Sequence, residues 1–143
     1  MRSPRTDPLA LVLRVLVAAG LVVDAVVHLR LASGYQMAQP AGIGQGNIFR
    51  IESVVALLAA LYVLLRGSRT AFLVAAVVGL SALVAVVLYR YVEVPAIGPV
   101  PTMYEPIWFF QKTLSAVAEA LAGVLALVGL ARVRAAPREN ARS

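Results

Sequence analysis

Asp24, His28, Glu52, Lys112 and Glu119 lie within or at the edges of long apolar runs, where a charge is hardest to accommodate. A charge in hydrocarbon costs about 3 kcal/mol even on the lenient insertion scale, so such residues pair, hold protons or bind something. Asp24 and His28 are i,i+4 neighbours on one helix face with Gly20, and Glu52 shares its face with Ala56 and Ala59. Lys112, Ser115, Ala116, Glu119, Gly123 and Ala126 recur at helical spacing, a polar and small-residue stripe that must face other helices. Asp24, His28, Glu52 and Lys112 are expected to form one outward-opening polar pocket, in which an imidazole can exchange protons in the physiological range. A catalytic role is assigned to none of them. One histidine with two carboxylates and no ligand-spacing motif is not expected to hold a metal.

Depth along the helices suggests two rungs between the first and last segments. Asp24 precedes Arg30 by six residues and Lys112 follows Pro106 by six, so both are expected roughly 9 Å from the outer end. Arg14 is expected roughly 24 Å down and Glu119 roughly 20 Å down, within side-chain reach of each other. Asp24–Lys112 is the first choice of pair. Arg14 lies about 80° around the helix from Asp24, so its alternatives are Glu119 or the cytoplasmic headgroups.

The elements that carry these residues are apolar segments near 9–31, 48–65, 70–91 and 106–131. Mean hydropathy is +0.85, and 14% of residues are charged against roughly a quarter in soluble domains. Segments of about 20 apolar residues match a hydrocarbon core of roughly 30 Å, and too little polar chain remains to cover four such helices in water. The basic residues flank the apolar ends: Arg2, Arg5, Arg66, Arg69, Arg132, Arg134, Arg138 and Arg142 mark one side. This is the positive-inside pattern, placing both termini and the 66–69 turn in the cytoplasm. It accounts for the net charge of +6 without nucleic acid. The first segment has a basic start but is too long for a cleaved signal and is read as a retained helix. No cysteine is present, which excludes thiol–disulfide exchange, thiolate metal sites and iron–sulfur chemistry.

Two outer loops, 32–47 and 92–105, connect the segments. The first is rich in Gly and Gln, with Asn47 as the expected N-cap of segment two. The second holds Pro95, Pro99 and Pro101, which favour a stiff extended path. Pro106 suits the first turn of segment four, with Glu105 beside its positive end. A polar, frayed tail is expected from Arg132 onward. Eight of the ten aromatics, Tyr35, Phe49, Tyr89, Tyr91, Tyr104, Trp108, Phe109 and Phe110, lie toward the outer ends, as an interfacial belt would. Arg50, Arg90 and Glu93 read as anchors at that interface.

Leu13-Arg14, Asp24, His28-Leu29-Arg30-Leu31, the Gly/Tyr loop, Glu52, and Met103-Tyr104-Glu105-Pro106-Ile107-Trp108 leading into Lys112–Glu119 form a signature along the whole chain. It resembles small four-helix membrane proteins common in high-GC actinobacteria, a group without an assigned activity. A looser likeness to DoxX-like four-helix proteins rests on helix count and the early Leu-Arg.

The expected fold is therefore all-α: a four-helix transmembrane bundle, up-down antiparallel, one membrane domain over residues 1–143 with both termini cytoplasmic. The leading functional expectation is a non-enzymatic accessory or assembly component of the cell membrane. The alternative is a transporter-like or proton-linked binder of a small ligand through Asp24, His28, Glu52, Lys112 and Glu119. A membrane enzyme acting on lipid or quinone ranks third. No cofactor is expected. The expected partners are the lipid bilayer and either a second copy or another membrane protein.

Overall fold

The structure, a computed structural model, describes residues 7–139, with side chains described through Val133. Arg2, Arg5 and Arg142, read above as topology signals, lie outside the described residues, as do the side chains of Arg134 and Arg138. Four helices follow in order: α1 Pro8–Ala38, α2 Gln45–Arg66, α3 Arg69–Tyr91 and α4 Phe110–Glu139. All four are long and apolar enough to cross a membrane. Consecutive helices are neighbours and α4 returns to α1, so the bundle is a square: among the described residues α1 scarcely meets α3, and the α2 and α4 backbones do not approach each other.

Local chemistry explains the ends near the 66–69 turn. The Asp7 carboxylate accepts from the Leu9 N–H at 3.2 Å, and Pro8 opens α1 where a missing N–H costs nothing. Gly67, with φ +55, closes α2, and the Ser68 hydroxyl caps α3 by accepting from the Ala71 N–H. An Asp7–Arg132 pair at 3.1 Å joins α1 to α4. The Arg132 bond, then the Leu9 N–H, holds the Asp7 carboxyl below its ordinary value. That small contribution is present above the unfolded carboxylate pKa and is lost as pH falls through the folded one.

Arg14 does not reach Glu119. Its Nε donates to the Val63 carbonyl at 3.3 Å, and its terminal nitrogen donates to the Leu64 carbonyl. Both carbonyls lie in the last turn of α2, at the negative end of the helix dipole; that of Val63 also accepts the Gly67 N–H, while that of Leu64 has no i+4 backbone donor. Arg14→Met is expected to lower the detergent-solubilised protein's unfolding free energy by about 1–2 kcal/mol, as read by thermal melting followed by circular dichroism.

Small residues set the helix crossings. Gly20 faces Ala118 and Ala122 across α1–α4, and Gly79 faces Gly123 across α3–α4; a Cβ at Gly79 would stand 3.1 Å from the Glu119 carbonyl oxygen. Such close backbone approach is how helices associate in lipid, where no hydrophobic force separates inside from outside. The buried apolar core, including Leu13, Val17, Leu21, Val63, Phe72 and Leu130, fills the half of the bundle near the 66–69 turn. Leu58, Val77, Val84 and Leu121 point outward, toward the space hydrocarbon would fill. Toward the other end α2 and α3 separate. Theirs is the thinnest interface between consecutive helices, and α3 is buried only at positions from Ala71 to Gly79.

Several element ends differ from those expected. α1 runs seven residues past Leu31, through Ser33-Gly34, because packing outweighs the roughly 1 kcal/mol that Gly34 costs a helix. Ala32 is buried against Gly46, and Gln36 Oε1 accepts from the Asn47 N–H at 2.9 Å. α2 begins at Gln45 after Gly44, so Asn47 lies in its first turn and is not the cap. α4 begins at Phe110, four residues after Pro106, because tertiary bonds recruit the preceding backbone. The Glu105 N–H donates to the Tyr89 carbonyl at 2.9 Å, and the Lys112 ammonium binds the Glu105 and Ile107 carbonyls. Glu105 is thereby tied to the bundle instead of sitting beside a helix terminus. α4 also continues to Glu139, beyond the expected Ala131. The segment between α3 and α4 is extended apart from a turn closed by an isolated Ile97–Val100 bridge, and it meets the first loop through Ile43 N–H to Pro99 O at 2.9 Å.

Candidate functional site

The half of the bundle without an apolar core holds a cluster of acids. Asp24 and Glu119 are both 0% exposed, an extreme for carboxylates. Between them stands Ser115, whose hydroxyl lies 2.7 Å from Asp24 Oδ1 and 2.8 Å from Glu119 Oε1. A hydroxyl has one proton to donate. It satisfies one carboxylate, and the second contact is favourable when that carboxyl group itself carries a proton.

His28 closes the cluster from one turn along α1. Its Nδ1 lies 2.9 Å from Asp24 Oδ1, 3.0 Å from the Asp24 carbonyl and 3.2 Å from Glu52 Oε2. One ring nitrogen cannot serve three acceptors. Among the described residues, Asp24 Oδ2, Glu52 Oε1 and Glu119 Oε2 remain buried with no hydrogen-bond partner, and Glu52 Oε2 has only the shared His28 nitrogen. Acceptors exceed donors, and the site is short of hydrogen or positive charge.

Lys112 does not supply that charge. Its ammonium turns back to the Glu105 carbonyl at 2.5 Å and lies 5.2 Å from the centre of the Trp108 ring. The expected Asp24–Lys112 rung is therefore absent, and Asp24 bonds to Ser115 and His28 instead. The helix ends explain the shift. With α1 extended to Ala38 and α4 starting at Phe110, Asp24 lies farther from the end of its helix than expected, and Lys112 is in the first turn of α4. The residues level with Asp24 are then Ser115 and Glu119.

A cavity of about 140 Å³ lies against the cluster, where α2 and α3 part. Its polar lining includes His28, Glu52, Lys112 and Ser115, with Gln45 and Glu105; Phe49, Tyr89, Phe109 and Met103 contribute apolar wall. Asp24 and Glu119 lie behind this lining, reached through Ser115 and His28. His28 packs edge-on against Phe49 at 4.9 Å, and Tyr35, 5.0 Å from Phe49, donates to Glu105 Oε2 at 3.2 Å. Several of the outer-end aromatics thus line a cavity as well as marking a boundary. The structure brings Asp24, His28, Glu52 and Glu119 together, places Lys112 on the cavity wall with its charge directed elsewhere, and sends Arg14 to α2. Ser115 was visible only as one position in the small-residue stripe, yet it joins the two most buried acids. Its i,i+4 spacing to Glu119 was the available signal.

Hydroxyl, imidazole and carboxylate are all present, but Ser115 faces acids, and the serine–imidazole contact of a charge-relay nucleophile is not made. The arrangement suits binding and proton exchange. Asp24, His28 and Glu119 also offer ligand atoms within 4.8 Å of one another.

Fold and site together define a four-helix transmembrane bundle with a partly open, ring-sized cavity over a buried acid cluster. No protein-family model matches the chain, and neither curated proteins nor solved structures yield a match.

Proposed function

We propose that this protein binds a small, largely apolar molecule whose polar head donates hydrogen bonds, in the cavity between α2 and α3. The observation that carries this reading is Glu52, a cavity-lining residue whose Oε1 is buried without a partner among the described residues and whose Oε2 has only a share of His28 Nδ1 at 3.2 Å. Unpaired buried acceptors are costly and select a ligand that brings donors. An ammonium or hydroxyl head meets that need, and the faces of Phe49 and Tyr89 suit a cation. A cavity near 140 Å³ takes about one ring, since an apolar cavity of about 150 Å³ accepts benzene. In the orientation set by the positive-inside pattern, both termini are cytoplasmic and the cavity is served from the outer side. Proton exchange through Ser115 with Asp24 and Glu119 then links occupancy to the cluster's protonation.

Benzylamine is the direct probe, titrated into purified protein while the sole tryptophan, Trp108, reports by fluorescence and calorimetry gives the affinity. Glu52→Gln is expected to weaken binding about 10–100-fold, the worth of a charge-assisted hydrogen bond, and benzoate is expected not to bind. Equal binding of benzoate, or benzylamine affinity indifferent to Glu52→Gln, overturns the reading. The cluster would then act as helix-packing glue, as expected of an accessory subunit.

A further inference from the structure

We propose a second site behind the first: a divalent first-row metal ion bound by Asp24, His28 and Glu119. It does not rest on the ligand reading above, because two of its three ligand residues, Asp24 and Glu119, do not line the cavity. Asp24 Oδ2 and Glu119 Oε2 belong to side chains that are 0% exposed, and neither oxygen has a partner. Two orphaned acceptors on different helices, beside an imidazole nitrogen, lack a positive centre more than a packing contact.

The distances are close to those of a coordination shell. Metal–ligand bonds of about 2.1 Å place neighbouring donor atoms about 3 Å apart and opposite ones about 4.2 Å apart. His28 Nδ1 lies 2.9 Å from Asp24 Oδ1, and the Asp24, His28 and Glu119 ligand atoms all lie within 4.8 Å. A contraction of roughly half an ångström closes the shell around one ion. The Ser115 hydroxyl, already within 2.8 Å of both acids, orients the two carboxylates as an outer partner does.

Charge points the same way. Asp24, Glu52 and Glu119 surround a single imidazole, with Lys112 turned away to backbone carbonyls. Fully ionised, the group is strongly negative in a low-dielectric interior, which is untenable without protons or a cation. A divalent ion supplies two charges at one point. One imidazole with carboxylates is a borderline set, suited to Zn²⁺, Mn²⁺ or Co²⁺ and poor for Cu(I). Ser115 and His28 line the cavity as well as the cluster, so the cavity is the entry path.

The test uses the full chain in detergent, stripped with chelator and titrated with Zn²⁺ or Co²⁺ alone. The expected result is one ion per chain, a higher melting temperature and a visible Co²⁺ absorption band reporting imidazole and carboxylate ligation. Asp24→Asn and Glu119→Gln are expected to weaken binding by at least about 100-fold, and Ser115→Ala by about 10–100-fold, the usual loss of an outer partner. No Co²⁺ band and no Zn²⁺-dependent melting shift in folded wild-type protein overturns the proposal. So does binding that survives both Asp24→Asn and Glu119→Gln, which would place the ion on the surface. Benzylamine binding without metal binding would leave the cavity reading intact and sink this one alone.

Discussion

Glu119→Gln is expected to stabilise the metal-free protein by about 1–3 kcal/mol, the penalty of a buried unsatisfied polar group. Glu119 Oε2 has no partner, while Glu119 Oε1 and Asp24 Oδ1 contend for the Ser115 hydroxyl. An amide of the same shape keeps the contact with Ser115 and brings two N–H donors into a cluster rich in acceptors. It also removes an acid from a group whose charges repel. If the cluster served only to hold helices together, the wild-type residue would be the better choice and Glu119→Gln would lower the melting temperature. Stability gained by a conservative change in a buried polar cluster marks a site kept for another purpose. Thermal melting in detergent at neutral pH with chelator present separates the two, and a fall in melting temperature would refute the site reading.

Gly46→Val is expected to have the opposite effect, lowering stability by 3 kcal/mol or more, at or beyond the roughly 1–3 kcal/mol typical of overpacking. A Cβ at Gly46 would stand 2.1 Å from the Ala32 carbonyl oxygen and 2.9 Å from the Gln36 backbone nitrogen. Backbone cannot rotate away as a side-chain tip can, so α1 and α2 must part at this end. Gly34→Ala is the control, because nothing lies within 4 Å of a Cβ there and helix propensity improves. The benzylamine affinity of Gly46→Val is expected to fall as well, since Ile48, Phe49 and Glu52 follow Gly46 on the displaced helix. A folded Gly46→Val protein with wild-type stability would mean that the α1–α2 contact at this end differs from the one described.

Long apolar segments, the tight 66–69 turn and inward-facing stripes are local properties, and they were enough to specify a four-helix bundle. Apolar length is dictated by bilayer thickness and polar periodicity by the helical turn, so both are legible one segment at a time. The membership of the acid cluster was legible for a similar reason: Asp24, Glu119 and their neighbours have no tolerable place except between helices. The pairing was not. Residue counting from assumed helix ends set Asp24 against Lys112 and Glu119 against Arg14. The true ends, Ala38 for α1 and Phe110 for α4, shift both registers in the same sense and set Asp24 against Ser115 and Glu119.

Those ends were set by contacts distant in sequence. Gly46 against Ala32 keeps α1 helical through Ser33-Gly34, and Lys112 with Tyr89 withdraws the Glu105–Ile107 backbone from α4. Arg14 likewise chose carbonyls at the end of α2, where the Leu64 oxygen is left without a backbone donor because the helix stops at Gly67. Residue type determined which groups must be buried in this protein. Only the tertiary structure decided which of them meet, because register depends on where helices end, and backbone hydrogen bonds and close contacts between segments determine those ends.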